Sequence, residues 1–309
     1  MATITNHPAT RDQAGRLRTL LERYNVDCEL PYSTGCRTIA VTSGKGGVGK
    51  SHLALNLAVA LAQSGRAVCL MDGNLGLGSL DLLCGLNGYW NLSHVVTGAR
   101  QLEDVILSGP AGIHLIPGGS GIASLADCPP HVQRQLLSQM HSLELEHDVL
   151  LIDTGSGIHQ LVRQFALAAD DILVVTTPEP TSIADAYATI KVLSAPKPRG
   201  CHSSFSGCEL HVVVNQSDSP EKAQQILERL QQTARLFLSA SIGLGGQIPR
   251  DVAVTNAVLQ RRPFVETEPN SAATRAVRQL AERLVASASR PCQPEGYFAR
   301  LWARLGKSA

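Results

Sequence analysis

Seven short apolar runs recur along the chain, at residues 37–43, 66–72, 113–117, 148–153, 171–177, 210–215 and 242–247. Most are continuous rather than alternating, the pattern of parallel strands covered on both faces. Between them, apolar residues return every three or four positions at 50–63, 131–146, 158–169, 181–194, 219–236 and 271–288, which predicts helices. Strand and helix in alternation predict an α/β fold: a doubly wound, mostly parallel sheet with right-handed crossovers. Ligands of such sheets bind beyond the C-terminal ends of the strands.

Two stretches fall outside this alternation. Near the start, Leu17, Leu20, Leu21 and Tyr24 have helical spacing, and Thr10 and Gln13 have the spacing of a capping box. Gly15 within that helix costs about 1 kcal/mol relative to Ala. Pro31, Ser33 and Gly35 then mark a linker. At the far end, Tyr297, Phe298, Leu301, Trp302 and Leu305 fall within an arc of about 140° on a helix, with Arg300, Arg304 and Lys307 opposite. Aromatics on one face and cations on the other predict a helix lying in a membrane interface. The competing expectation is a helix packed on the protein's own body, since Trp and Leu also build cores. The expected division is a leading segment over 1–36, a main domain over 37–290 and a C-terminal helical element over 291–309.

The candidate chemistry gathers where the first apolar run ends. Gly44-Lys45-Gly46-Gly47-Val48-Gly49-Lys50-Ser51 fills every fixed position of the P-loop pattern, with a strand before it and a helix after it. Its glycines let backbone N–H groups close around phosphate oxygens. Lys50 is expected to reach the β/γ-phosphates and the Ser51 hydroxyl to ligate Mg²⁺. The helix beginning at His52 points its positive end at the phosphates. Val149-Leu150-Leu151-Ile152-Asp153 is an apolar strand ending in a carboxylate, which places Asp153 on Mg²⁺ directly or through water. Asp72 ends another strand and joins the same metal set.

Lys45, just after the first glycine, makes the loop resemble the deviant Walker A box of the MinD/ParA family. That resemblance implies a P-loop NTPase fold of the SIMIBI class, ATP with Mg²⁺ as cofactors, and an ATP-dependent homodimer in which Lys45 reaches the partner's nucleotide. Asp153-Thr154-Gly155-Ser156-Gly157-Ile158, the stretch Thr176 to Tyr187, Arg262-Pro263-Phe264-Val265-Glu266 and Pro269-Asn270-Ser271 resemble the branch of this family that controls flagellar number and placement, FlhG/FleN. The same resemblance implies that Asn215 contacts adenine, that Pro249, Arg250 and Asp251 flank the base, and that His52 stands at the nucleotide in place of a frequent Thr or Asn. On spacing alone, Asn215 serves equally as a turn former at a strand end. Asp12-Gln13-Ala14-Gly15-Arg16-Leu17-Arg18 resembles the family's DQAxxLR motif, which docks on the FlhF-type signal-recognition GTPase and stimulates it. Asp12, Gln13, Ala14, Leu17 and Arg18 are the implied contacts, and the competing role for Gln13 is to cap its own helix. A flagellar C-ring protein or a flagellar transcription regulator is a further implied partner. The chain departs from the family at Asn74, where a second aspartate usually orients the attacking water. Asn holds a water but carries no charge, so slow hydrolysis, or a nucleotide-bound scaffold, is the alternative expectation. A septum-placing or partition relative is the other alternative, weakened by the N-terminal motif.

Composition adds limits. The chain has 309 residues, 44% of them hydrophobic and 17% charged, which suits one large α/β domain. A net charge of +1 gives no electrostatic case for nucleic acid as a partner. No apolar run is long enough to span a bilayer and no signal peptide is apparent, so the expected location is the cytoplasm and the inner face of the cytoplasmic membrane. The eight cysteines form no C-x-x-C pair and read as reduced thiols. Cys201, His202, Cys208 and His211 match no standard zinc spacing, and a polar loop is the favoured reading there.

Overall fold

The computed structural model describes residues 35–74, 78–119, 130–195, 208–286 and 295–305. The helix expected over residues 10–24, with Asp12, Gln13, Ala14, Leu17 and Arg18, lies outside them. So do Cys201 and His202.

The strands are β1 (Arg37–Ser43), β2 (Val68–Gly73), β3 (Leu107–Ser108), β4 (His114–Ile116), β5 (Val149–Ser156), β6 (Asp171–Thr176), β7 (Glu209–Ser217) and β8 (Gly243–Pro249). They form one sheet in the order β3-β4-β2-β5-β1-β6-β7-β8, parallel throughout except for the β3–β4 pair. β1, β2, β5 and β6 are buried along nearly their whole length, as continuous apolar runs require. The two-residue β3 carries no periodic signal, and the sequence pattern missed it.

Each predicted central helix is present. α1 (Lys50–Gln63) covers one face of the sheet, later joined there by α10 (Ala272–Ala286). α4 (Pro130–Glu146), α5 (Gln160–Ala168), α6 (Pro180–Leu193) and α7 (Pro220–Leu238) cover the other face. The short helices α2 (Leu80–Leu83), α3 (Leu92–Val96), α8 (Val252–Leu259) and α9 (Phe264–Thr267) were not anticipated. Helices of eight residues or fewer present too few positions for a helical period to show.

The last helix, α11 (Tyr297–Leu305), corrects an expectation. Tyr297, Phe298, Leu301 and Leu305 are buried, and Trp302 is half-buried against the same core. The face expected to meet lipid therefore packs on α4 and α5. Of the cations expected on the outer face, Arg300 is only 7% exposed and Arg304 is half-buried, while Lys307 lies outside the described residues. Arg300 Nε donates to the Ala168 carbonyl at 2.7 Å, and its Nη2 donates to Thr38 Oγ1 at 3.1 Å and Asp170 Oδ1 at 3.2 Å. Glu144 accepts from the Phe298 N–H at 2.9 Å, and burial holds its carboxyl above the usual range. A buried guanidinium is tolerated because acceptors meet it on several sides.

Candidate nucleotide site

The P-loop leaves β1 at its C-terminal end, in the middle of the sheet and between β5 and β6. Gly49 precedes α1 with φ +87°, a left-handed conformation that suits glycine, and a Cβ there would collide with the Asn215 amide. Gly44 packs so closely on α6 that a Cβ would overlap the Asp185 carbonyl. Gly46, Gly47 and Val48 complete the loop, and Ser43 Oγ ties it by donating to the Lys45 carbonyl at 2.9 Å.

Parallel register brings the acidic residues together. Asp72 on β2 and Asp153 on β5 are direct cross-strand partners. Lys50, 8% exposed, places its Nζ 2.5 Å from Asp153 Oδ1. Burial, and then the charge of Asp153, push the Asp72 carboxyl up to about 6, against backbone N–H bonds from Asn74, Ser79 and Leu80. Ser51 stands in the first turn of α1. A hydroxyl and two adjacent carboxylates are hard oxygen donors of the kind Mg²⁺ takes, and a cation would relieve the crowding that raises Asp72. Asn74 lies beside the same strand end, its side-chain oxygen facing Gly155.

Lys45 is placed differently from Lys50. It is 37% exposed, donating to Glu179 Oε2 at 2.6 Å and Thr181 Oγ1 at 3.1 Å. Those partners sit at the start of α6, and Lys45 holds the Glu179 carboxyl below its usual range.

Beside the loop opens a cavity of about 470 Å³ lined by Gly47, Gly49, His52, Asn215, Pro249 and Arg250 among others. Leu53, Val258, Leu259 and Phe264 supply apolar walls. Asn215 Nδ2 donates to the Val48 carbonyl at 2.8 Å, so it braces the P-loop. Arg250 is 70% exposed and faces Asp218 at 3.4 Å. Asp251 caps α8 through the Ala253 N–H. Burial lowers the His52 pKa, opposed by the charge of Asp153. Gln216 lines the same cavity and was missed by sequence reasoning.

At the opposite end of the strands, His211 and Asp171 meet, with Glu209 beside them. Arg37 forks onto Asp171 with Nε at 2.6 Å and Nη2 at 3.0 Å. That pairing makes the group a buried ion network and leaves the Asp171 oxygens engaged.

A glycine-rich loop, a buried lysine and paired strand-end carboxylates on a doubly wound sheet define a P-loop nucleotide-binding protein. The ParA family model, described as NUBPL iron-transfer P-loop NTPase, matches residues 36–285, and the chain belongs to this ParA/MinD family. It is 37% identical over 262 residues to the antiactivator FleN of Pseudomonas aeruginosa, covering 85% of this chain and 90% of FleN. It is 31% identical to the flagellum site-determining protein YlxH of Helicobacter pylori, covering 89% of this chain and 90% of YlxH. Among solved structures, the septum site-determining protein MinD of Pyrococcus horikoshii, complexed with Mg-ADP, superposes with a TM-score of 0.64 at 27% identity. That match covers 82% of this chain and 97% of the MinD chain.

Proposed function

We propose that this protein is an ATP-driven switch in the control of flagellar number and placement: ATP joins two copies face to face, and hydrolysis releases them. The observation that carries this reading is the contrast between the two P-loop lysines. Lys50 is buried on Asp153, poised to exchange that carboxylate for phosphate. Lys45 is part-exposed and, among the described residues, is held by an exposed glutamate and a threonine hydroxyl. Exposed ion pairs of that kind contribute about 0–1 kcal/mol, so Lys45 is easily freed for a nucleotide across an interface. Likeness to YlxH supports the flagellar setting, and likeness to a MinD complexed with Mg-ADP supports the nucleotide and the metal. Light scattering with ATP should report a dimer for the wild type and a monomer for Lys45→Ala, which still binds nucleotide. A wild type that stays monomeric with ATP would sink the proposal.

The proposal extends to two partners. Residues 12–18 supply the contact to an FlhF-type GTPase. Peripheral association with the inner face of the cytoplasmic membrane runs through α11, and it requires that helix to leave its seat. Tyr297, Phe298, Leu301 and Leu305 have no apolar area to offer lipid while docked. A second reading, a long-lived nucleotide-bound scaffold, is favoured by Asn74, which brings no carboxylate to the place where water must be oriented.

A further inference from the structure

We infer that Gln216 is the residue that distinguishes adenine from guanine in this cavity; the inference rests on the nucleotide-binding reading above. In a regular strand, Asn215 and Gln216 point to opposite faces. Here both line the same cavity. The cause is a bulge in β7. Val214 pairs with Gln247 and Ser217 with Pro249, so three steps on β7 match two on β8. Gln216 takes up the extra residue in a left-handed conformation, φ +56°. That conformation is unfavourable for a residue with a Cβ and collects at functional sites, as bulges do where a side chain must be re-aimed.

Of the other polar groups around the cavity, Asn215, Asp251 and Arg250 have tasks already, while His52 and Thr255 line it as well. The Asn215 amide holds the Val48 carbonyl, Asp251 caps α8 and receives the Ala273 N–H, and Arg250 faces Asp218. No hydrogen bond to the Gln216 carboxamide is present among the described residues, and Leu53, Ile248, Val258 and Phe264 elsewhere in the cavity lining are apolar. An apolar cleft with few polar groups is the usual form of a site for a flat heterocycle. A carboxamide presents one acceptor beside two donors. Adenine matches it along its N7 edge, the N6 amino group beside N7, the pairing glutamine makes with this base in bidentate recognition. Guanine sets O6 and N7, two acceptors, on the corresponding edge, so the glutamine oxygen would face another acceptor.

The test uses the full chain and six measurements of nucleotide affinity, ATP and GTP for the wild type, for Gln216→Gly and for Gln216→Asn. Glycine suits φ +56°, so this variant keeps the bulge and removes only the side chain. Gln216→Asn, which tolerates the same conformation with a shorter amide, is the second variant. Wild type should prefer ATP, and Gln216→Gly should lower the ATP-to-GTP affinity ratio at least tenfold, with Gln216→Asn between them. An unchanged ratio, or equal weakening of ATP and GTP, would overturn the assignment and move Gln216 to the ribose or the scaffold. A wild type that binds neither nucleotide would instead remove the nucleotide-binding reading on which the inference stands.

Discussion

At the scale of single residues, the site is built from charge crowded onto two adjacent strand ends. Asp72 and Asp153 are cross-strand partners, and the carboxyl of Asp72 rises to about 6 first through its burial and then through that neighbouring charge. Lys50 offsets the crowding on one side only, at Asp153. Asn74 adds no third carboxylate, although it lies beside both and its N–H donates to Asp72 Oδ1 at 3.0 Å. Asn74→Asp should therefore act in two opposite directions. Single-turnover hydrolysis should rise several-fold to tenfold, about 1.4 kcal/mol of transition-state stabilisation at the upper end. The nucleotide-free protein should lose on the order of 1 kcal/mol in a denaturant titration, because a partly buried anion joins two buried ones. Equal single-turnover rates for two proteins shown to be dimeric would mean that Asp72, or Asp81 in the first turn of α2, already holds the water.

At the scale of elements, α11 is the piece whose role packing decided. Its apolar residues belong to the core cluster beneath α4 and α5, and its Arg300 closes a network with Thr38, Ala168 and Asp170. Arg300→Ala removes the guanidinium that pairs with Asp170 Oδ1 at 3.2 Å. Breaking a buried pair costs about 3–5 kcal/mol, and the lower end applies here because Thr38 still donates to Asp170 from its N–H and its hydroxyl. A fall of that size in the unfolding free energy, read from the denaturant midpoint, is the expected outcome; a midpoint unchanged from wild type would mean that α11 is not docked in solution. Deleting the helix would uncover core side chains, so truncation is a poor test of membrane binding.

At the scale of the whole molecule, chemistry gathers at one end of the strands. The P-loop, the acidic pair, Lys45 and the cavity lined by Asn215 and Gln216 share the C-terminal strand ends, as a doubly wound sheet dictates. The other end carries the Arg37–Asp171–His211 network and, beside it, the Arg300 clasp that holds α11. Membrane association through α11 thus needs a signal carried from the nucleotide end to the clasp. Vesicle co-sedimentation should appear with ATP and be absent without nucleotide. Trp302→Glu should reduce it several-fold at little cost to folding, because Trp302 is only half-buried. Binding of equal strength with and without ATP would show that undocking does not depend on the nucleotide.

What the sequence determined by itself is whatever depends on near neighbours. The P-loop is read from eight consecutive residues, and the central strands from continuous apolar runs that only a sheet covered on both sides can bury. The order of alternation gave the layers, and the motif gave the positions of Lys50, Ser51 and Asp153. The tertiary structure decided what depends on partners far apart in the chain. An amphipathic helix has the same pattern whether lipid or its own core takes the apolar face, so only the seat on α4 and α5, with Asp170 waiting for Arg300, assigned α11. Lys45 meets Glu179 across 134 positions. Gln216 enters the cavity because pairing with β8 leaves one residue of β7 over, a mismatch between two strands that neither strand's own sequence contains.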